Sequence, residues 1–376
     1  FILLFILSFF SCQNNKEAEY IPLQPSKMCG SCHKTIYNEW KSSMHSKSSL
    51  FQDNAHMAVY KTFSKAMEKK GEAHPYYCAN CHTPMAKNLE SLISGKAEPN
   101  KNEWQHVEGV GCALCHRIEG IVEGERFNTN KINRDGTIYV STPSNRVAHK
   151  ILESKIFATG EVCNGCHSHL KNPKGVSICV MKEEGGGNCL TCHMEKVDGP
   201  PSEHSKKKTH ISHLMAGGHD MNMLRRAVDI NTEFSTDKRQ LIVEVRNNIT
   251  HTFPSTNPMR IAFLKIQAFG KDGNMIWSNF VKTPMEDKRS LFFKAFKAGD
   301  KIGVPAWEAE GVAFDTRLKG GEERRVTYDL PSEDIKKITV ALIYRLFPPK
   351  AIKIMGIPRD GINDKNYIVL KKELIF

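Results

Sequence analysis

A pentapeptide that recurs five times constrains this chain more than any other feature. Cys29-Gly30-Ser31-Cys32-His33, Cys78-Ala79-Asn80-Cys81-His82, Cys112-Ala113-Leu114-Cys115-His116, Cys163-Asn164-Gly165-Cys166-His167 and Cys189-Leu190-Thr191-Cys192-His193 all read C-x-x-C-H. That spacing is the attachment signature of c-type haem. The two thiols add across the porphyrin vinyl groups, and the histidine that follows is placed to ligate the iron from the proximal side. On this reading Cys29, Cys32, Cys78, Cys81, Cys112, Cys115, Cys163, Cys166, Cys189 and Cys192 anchor five haem c groups, and His33, His82, His116, His167 and His193 are the proximal ligands. A zinc ribbon also pairs C-x-x-C motifs, but it needs no histidine directly after each second cysteine. A disulfide framework has no reason to repeat a two-residue gap five times. Ten of the twelve cysteines fall in the motifs, and haem is the reading that uses them all in one way.

From the first motif to the last there is about one haem per 33 residues. At that density the porphyrins supply much of the apolar core, and residues 20–225 are accordingly polar, turn-rich and short of Val/Ile/Leu clusters. Readable local patterns here are helical. His33, Tyr37, Trp40 and Met44 recur on one helical face, and residues 55–70 form a second candidate helix stopped by Gly71. Gly185-Gly186-Gly187 reads as a loop that lets backbone approach a haem. Cys179, outside every motif, reads as a small buried hydrophobe.

From about 236 the period changes from 3.6 to 2. Leu241, Val243 and Val245 alternate with Ile242, Glu244 and Arg246. Leu264, Ile266 and Ala268 lead through Lys271-Asp272-Gly273-Asn274 into Met275-Ile276-Trp277, the pattern of a hairpin with Asp-Gly at its turn. Val326, Tyr328 and Leu330, then Ile338, Val340, Leu342, Tyr344 and Leu346, continue the alternation. The fold class expected is α+β multidomain: a mostly helical or irregular haem-packed domain over 20–225, followed by an antiparallel β-sandwich over 236–376.

The formal charge of +12 would ordinarily point to an anionic partner. Five haems bring roughly ten propionate charges and so offset most of it. No basic run is interleaved with aromatics, and Lys206-Lys207-Lys208 reads as a solvated linker, so nucleic acid is set aside. Residues 1–11 are an apolar run too short to span a bilayer as a mature helix, and fit the core of an export signal. Ser11-Cys12 resembles a bacterial lipoprotein processing site, so residues 1–12 are read as a signal segment, truncated at its N-terminus, with a lipid anchor at Cys12. The expected location is periplasmic or outer-membrane-associated.

Trp40-Lys41-Ser42-Ser43-Met44-His45, Glu108-Gly109-Val110-Gly111 and the Cys189–Met194 segment resemble the multihaem cytochrome c-554/c-prime family over residues 25–220. Asn248-Ile249-Thr250-His251-Thr252-Phe253-Pro254-Ser255-Thr256 is similar to an element of the sandwich domains appended to such cytochromes, with Ser255-Thr256 where Thr-Gly is usual. The resemblance implies bis-histidine haems at most sites and an electron-transfer role. Eleven histidines lie outside the motifs: 45, 56, 74, 106, 149, 169, 204, 210, 213, 219 and 251. The resemblance favours His45, His149 and His213 as distal ligands, and His106 and His251 are further candidates. An unbroken helix from His33 to His45 would be about 18 Å long, so His45 must serve a haem other than that of its own motif. Met28, Met44 and Met215 are read as packing against porphyrin edges rather than as thioether ligands.

Two function classes follow. One is a non-enzymatic electron carrier that passes electrons between periplasmic or outer-membrane redox partners. The other is a reductase of nitrogen or sulfur oxyanions with one haem left open. The resemblance implies lysine in place of a motif histidine for pentahaem nitrite reductases, and all five motifs here keep histidine, which favours the carrier. A filament or other oligomer built through the sandwich is compatible with either.

Overall fold

The computed structural model describes residues 21–143, 148–181, 187–237, 239–331 and 334–376. The expected lipid-anchor residue Cys12 and the glycines at 185 and 186 lie outside the described residues.

Each pentapeptide closes a single helical turn. The amide of His33 donates to the Cys29 carbonyl at 2.9 Å, and the same bond runs from His82 to Cys78 (2.9 Å), His167 to Cys163 (2.8 Å) and His193 to Cys189 (3.0 Å). The third motif is itself the helix Cys112–His116. Residues three apart share a helix face, so one turn presents both thiols to one side, as attachment to a single porphyrin requires.

Two longer helices stand between the first and second motifs. Lys34–Ser42 starts directly after the first motif. It stops at Ser43, so Met44 and His45 lie beyond its end and the expected four-residue face is cut short. The second helix is Asn54–Glu68, capped by Asp53, whose carboxylate accepts from the amides of Ala55 (2.9 Å) and His56 (3.1 Å). Beyond the third motif the backbone also forms small ribbons that the sequence patterns did not foretell: Ile118–Val122 with Thr129–Ile132, Ile138–Val140 with Ile151–Glu153, His169–Lys171 with Ser177–Val180, and Lys196–Asp198 with Thr209–Ile211. Only the second of these ribbons is parallel.

Strands dominate from Val228 onward. Val228–Phe234, Gln240–Asn247 and Glu323–Asp329 form one antiparallel sheet with Gln240–Asn247 at its centre. Met275–Ser278, Ile261–Phe269, Lys337–Arg345 and Tyr367–Ile375 form a second, to which Leu291–Phe292 adds by pairing with Ile261–Phe269. Leu241, Val243 and Val245 from the first sheet meet Leu264, Ile266, Val340 and Leu342 from the second in one cluster, all fully buried. The strand Val228–Phe234 begins before the expected start at 236. Its alternation, Val228 and Ile230 inward, is too brief to stand out directly after the helix Met221–Ala227.

The expected hairpin is present. Gly270 donates to the Asn274 carbonyl at 3.0 Å, and Gly273 takes φ +77°, which its lack of a Cβ permits. A third sheet, Lys301–Ile302, Lys294–Ala298 and Gly311–Asp315, was not anticipated. Phe296 and Ala309 from this region pack on Ile178, with Cys179 against the same cluster. The helix Asn54–Glu68 also reaches across: Ala55 belongs to the strand-rich core, and Thr62 donates to the Met355 carbonyl at 3.0 Å. Among the described residues no helix is long and apolar enough to cross a membrane.

Candidate functional site

The five motif histidines are brought one by one against histidines from elsewhere in the chain. Ring centroids lie 6.4 Å apart for His33 and His149, 6.0 Å for His45 and His167, 6.1 Å for His116 and His213, and 6.4 Å for His193 and His251. The fifth pair, His56 and His82, is closer at 4.4 Å. Two metal–nitrogen bonds of about 2 Å, plus about 1 Å from each nitrogen to its ring centre, put the centroids of two imidazoles on one iron roughly 6 Å apart. Four of the pairs therefore have the separation that a haem iron between them needs.

Hydrogen bonding orients the rings. Nδ1 of His33 contacts the Pro201 carbonyl at 2.7 Å, that of His116 the Tyr139 carbonyl at 2.9 Å, and that of His193 the Ala216 carbonyl at 2.6 Å. On the opposite side, Nδ1 of His213 meets the Ile211 carbonyl at 2.8 Å. A carbonyl partner fixes the proton on Nδ1 and leaves Nε2 with the lone pair a metal takes. Burial favours the uncharged ring, which is the ligating form. It holds His45 and His56 down to about 3 and His213 down to about 4. His45 Nδ1 is buried with no hydrogen-bond partner.

The stretch Glu108–Gly111 explains how the first and third motifs are held together. Glu108 Oε1 accepts from the Ser26 amide (2.9 Å) and hydroxyl (2.7 Å), and Ser26 Oγ accepts from the Cys112 amide at 2.9 Å. Gly109 has φ +78° and passes so close to the His45 carbonyl that a Cβ there would lie 2.6 Å from it. Val110 then donates to that same carbonyl at 3.0 Å and accepts from the Trp40 indole at 2.8 Å. His45 is thus set by backbone contacts after its helix has ended, and it faces His167 rather than its own motif.

The second motif differs. Nδ1 of His56 and Nδ1 of His82 approach the same carbonyl, that of Ser48, at 3.0 and 2.9 Å. His56 Nε2 is within 3.2 Å of the Tyr76 hydroxyl, and Tyr76 is almost fully buried. In this arrangement the two rings are too close to clasp an iron, and His56 must turn from Tyr76 to do so.

His106 does not stand opposite a motif histidine. It is 1% exposed; its Nδ1 accepts from the Asn100 amide at 2.9 Å and its Nε2 faces Asn88 Oδ1 at 2.9 Å. Both its nitrogens are engaged by the protein, so the structure does not bring His106 to a motif histidine as expected; it is His56 that lies against His82. No local motif marks His56. It lies in the first turn of a capped amphipathic helix, where a histidine reads as an ordinary surface residue. Two other histidines are engaged by the protein: His169 Nε2 meets the Gly124 carbonyl at 2.8 Å, and His210 Nε2 meets Glu39 at 2.9 Å.

Motif cysteines also touch one another across motifs. The thiols of Cys29 and Cys112 are in hydrogen-bonding contact, as are those of Cys81 and Cys166 and those of Cys163 and Cys189. The cysteines of motifs one and three, two and four, and four and five are therefore neighbours.

With this geometry in hand, the comparisons are specific. Residues 28–117, which contain three of the five motifs, match the family model for cytochrome c554 and c-prime. The fold is shared with a penta-heme cytochrome c552 from Thermochromatium tepidum, at a TM-score of 0.79 and 24% identity, over 95% of this chain and 100% of that one. A comparison with curated protein sequences finds no match. The family match covers residues 28–117, and the likeness to the solved structure is one of fold.

Proposed function

We propose that this chain is an exported pentahaem electron carrier in which every motif holds a covalently bound haem c and most of the irons take two histidines. The observation that carries the proposal is the one-to-one pairing of motif histidines with distal ones. The ligand sets are His33 with His149, His82 with His56, His116 with His213, His167 with His45, and His193 with His251. The haem supplies a metal centre that gains and loses one electron without a bond being made. The protein supplies neutral imidazoles, fixes their orientation through backbone carbonyls and shields them from water. Contacts between motif cysteines support two stretches of an electron route, one joining motifs one and three and the other running from two through four to five. The haem-binding region is assigned to residues 20–225 and the β-sandwich to the strand-rich remainder, which contributes His251. Export agrees with the periplasmic chemistry of haem attachment, and redox proteins of the periplasm or outer membrane are the partners.

A second reading rests on the second motif alone. The His56 ring held by Tyr76 supports a reductase in which that haem is open to a small oxyanion. EPR of the oxidised holoprotein separates the two readings. Five low-spin signals are expected of the carrier, and one high-spin signal of the reductase. Iron and pyridine haemochrome analysis giving three haems or fewer per fully matured chain would sink both.

A further inference from the structure

A cavity opens where the helix Asn54–Glu68 meets the strand-rich part, and none of the motif cysteines or paired histidines lines it. Its volume is about 430 Å³, within the range of about 300–1,000 Å³ usual for small-molecule sites. Three elements form its walls: that helix through Thr62 and Ala66, the segment 301–308, and the helix Pro349–Met355 through Lys350 and Ile354. The walls are tied to one another. Thr62 donates to the Met355 carbonyl at 3.0 Å, and Lys350 Nζ donates to the Ile302 carbonyl at 2.6 Å. Gly303 takes φ +77° where the chain leaves the strand Lys301–Ile302, a turn that a residue without a Cβ makes readily.

The lining asks for three things at once. Ala66, Ile302, Val304, Pro305 and Ile354 contribute apolar surface, and Ile302 and Ile354 are 53% and 42% exposed, so part of that surface faces solvent. Covering it with an apolar ligand is favourable. Trp307 stands among these residues, edge to face with Phe63 at 5.5 Å. Its indole Nε1 is buried, and among the described residues nothing accepts its proton. A buried indole N–H ordinarily finds a partner, and one left unmet costs free energy. Charge in the lining comes from Lys301, Lys350 and Glu308, two ammonium groups against one carboxylate, so the lining is net positive. Lys350 has further N–H donors beyond the one given to Ile302.

We propose that this cavity binds an apolar carboxylate, a small molecule with an alkyl or aryl body and one carboxylate head. The body covers the apolar lining, and the head answers the Trp307 N–H and the excess of positive charge. Inorganic phosphate or sulfate lacks the body, and a neutral hydrocarbon leaves the N–H and the charge unanswered. The ligand sets of the haems do not enter this argument.

The test titrates sodium octanoate into the haem-loaded protein by calorimetry, with 1-octanol and octylammonium chloride as neutral and cationic counterparts. Saturable binding of octanoate is expected, at least tenfold tighter than that of either counterpart. Ala66→Trp, which fills the cavity, should abolish it. Trp307→Phe keeps an aromatic ring beside Phe63 and removes the N–H, and should weaken octanoate several-fold. Lys301→Met, at an exposed position, should weaken octanoate and narrow its margin over octanol. The haem absorption spectrum and thermal unfolding of each variant report on its fold, and Lys301→Met decides the matter should the other two fail to fold. Absence of saturable binding, octanol held as tightly as octanoate, or an affinity indifferent to every folded variant would overturn the proposal.

Discussion

The two parts of this molecule are stabilised in different ways. From Val228 onward, facing sheets enclose a large common cluster that contains Leu241, Val243, Leu264, Ile266, Val340 and Leu342, all without solvent exposure. Among the described residues the motif-bearing part has nothing comparable. Its apolar clusters are small, one around Leu50, Tyr76 and Leu92 and another around Met85, Val110 and Leu114. Its regular elements are mostly single turns and short ribbons. Burial of apolar side chains is the main favourable contribution to folding. One part of the chain meets that requirement with its own residues, while the other leaves it to the haems. Haem attachment in the motif-bearing region is therefore expected to be a folding event as well as a functional one.

The largest expected effect breaks the comparison directly. Full-length protein produced without haem attachment should lose amide-exchange protection across the motif-bearing residues and keep it in the strands from 228 onward. Equal protection in both parts would show that the polypeptide alone holds the first part together. Next in size is a core truncation. Leu264→Ala should cost about 2–5 kcal/mol in denaturant unfolding, as burial-site truncations do, and leave the haem absorption spectrum of the folded protein unchanged. A changed spectrum would mean that the two cores are coupled more tightly than the clusters indicate.

Histidine substitutions sharpen the same contrast. His45→Ala and His251→Ala should each convert one low-spin haem to high spin with five haems still attached, although His251 comes from the strand-rich part. His106→Ala should leave the spin count unchanged and destabilise the fold by about 1–3 kcal/mol, since it strips partners from the Asn100 amide and Asn88. A new high-spin signal in His106→Ala would restore it as a ligand.

The smallest expected effect is a pH dependence. His210 is buried, which alone would lower its pKa, but the Gly199 carbonyl and the Glu39 carboxylate facing it raise it above 6.5. A raised folded-state value means that the contribution is complete below pH 6.5 and is lost as pH rises through that higher value. Glu39 also accepts from the His213 amide at 2.8 Å, so this loss loosens the segment whose His213 faces His116. Buried histidines with lowered pKa values, such as His45, His56 and His213, push total stability the other way, so the measurement is the difference between the unaltered protein and Glu39→Gln. The stability advantage of Glu39 should be largest below pH 6.5 and shrink as pH rises towards 8. An advantage that grows with pH would refute the assignment.

Much of this was legible in the residues themselves. The five pentapeptides identify their own chemistry because attachment is local: two thiols and an imidazole within one helical turn need no tertiary structure to be placed. The period-2 runs around Leu241 and Ile338 were equally readable, because alternation along a strand reports directly on which face is covered. The hairpin at Asp272-Gly273 is local too.

The pairing of histidines was decided elsewhere. His33 meets His149, and His45 meets His167, from more than a hundred residues away in the chain, and no spacing rule spans such a distance. His56 and His106 look alike as letters, each in a helix and each near a motif. What separates them is that Asn88 and Asn100 converge on both nitrogens of His106, whereas His56 has a motif histidine opposite. The expectation that His45 would be carried by a continuous helix failed for a related reason. Its position comes from the carbonyl contacts of Gly109 and Val110, over sixty residues downstream, which take over after the helix ends at Ser42. Local chemistry is written in the sequence because a single turn contains it, and the pairing of histidines belongs to the tertiary structure because it depends on which distant backbones share a neighbourhood.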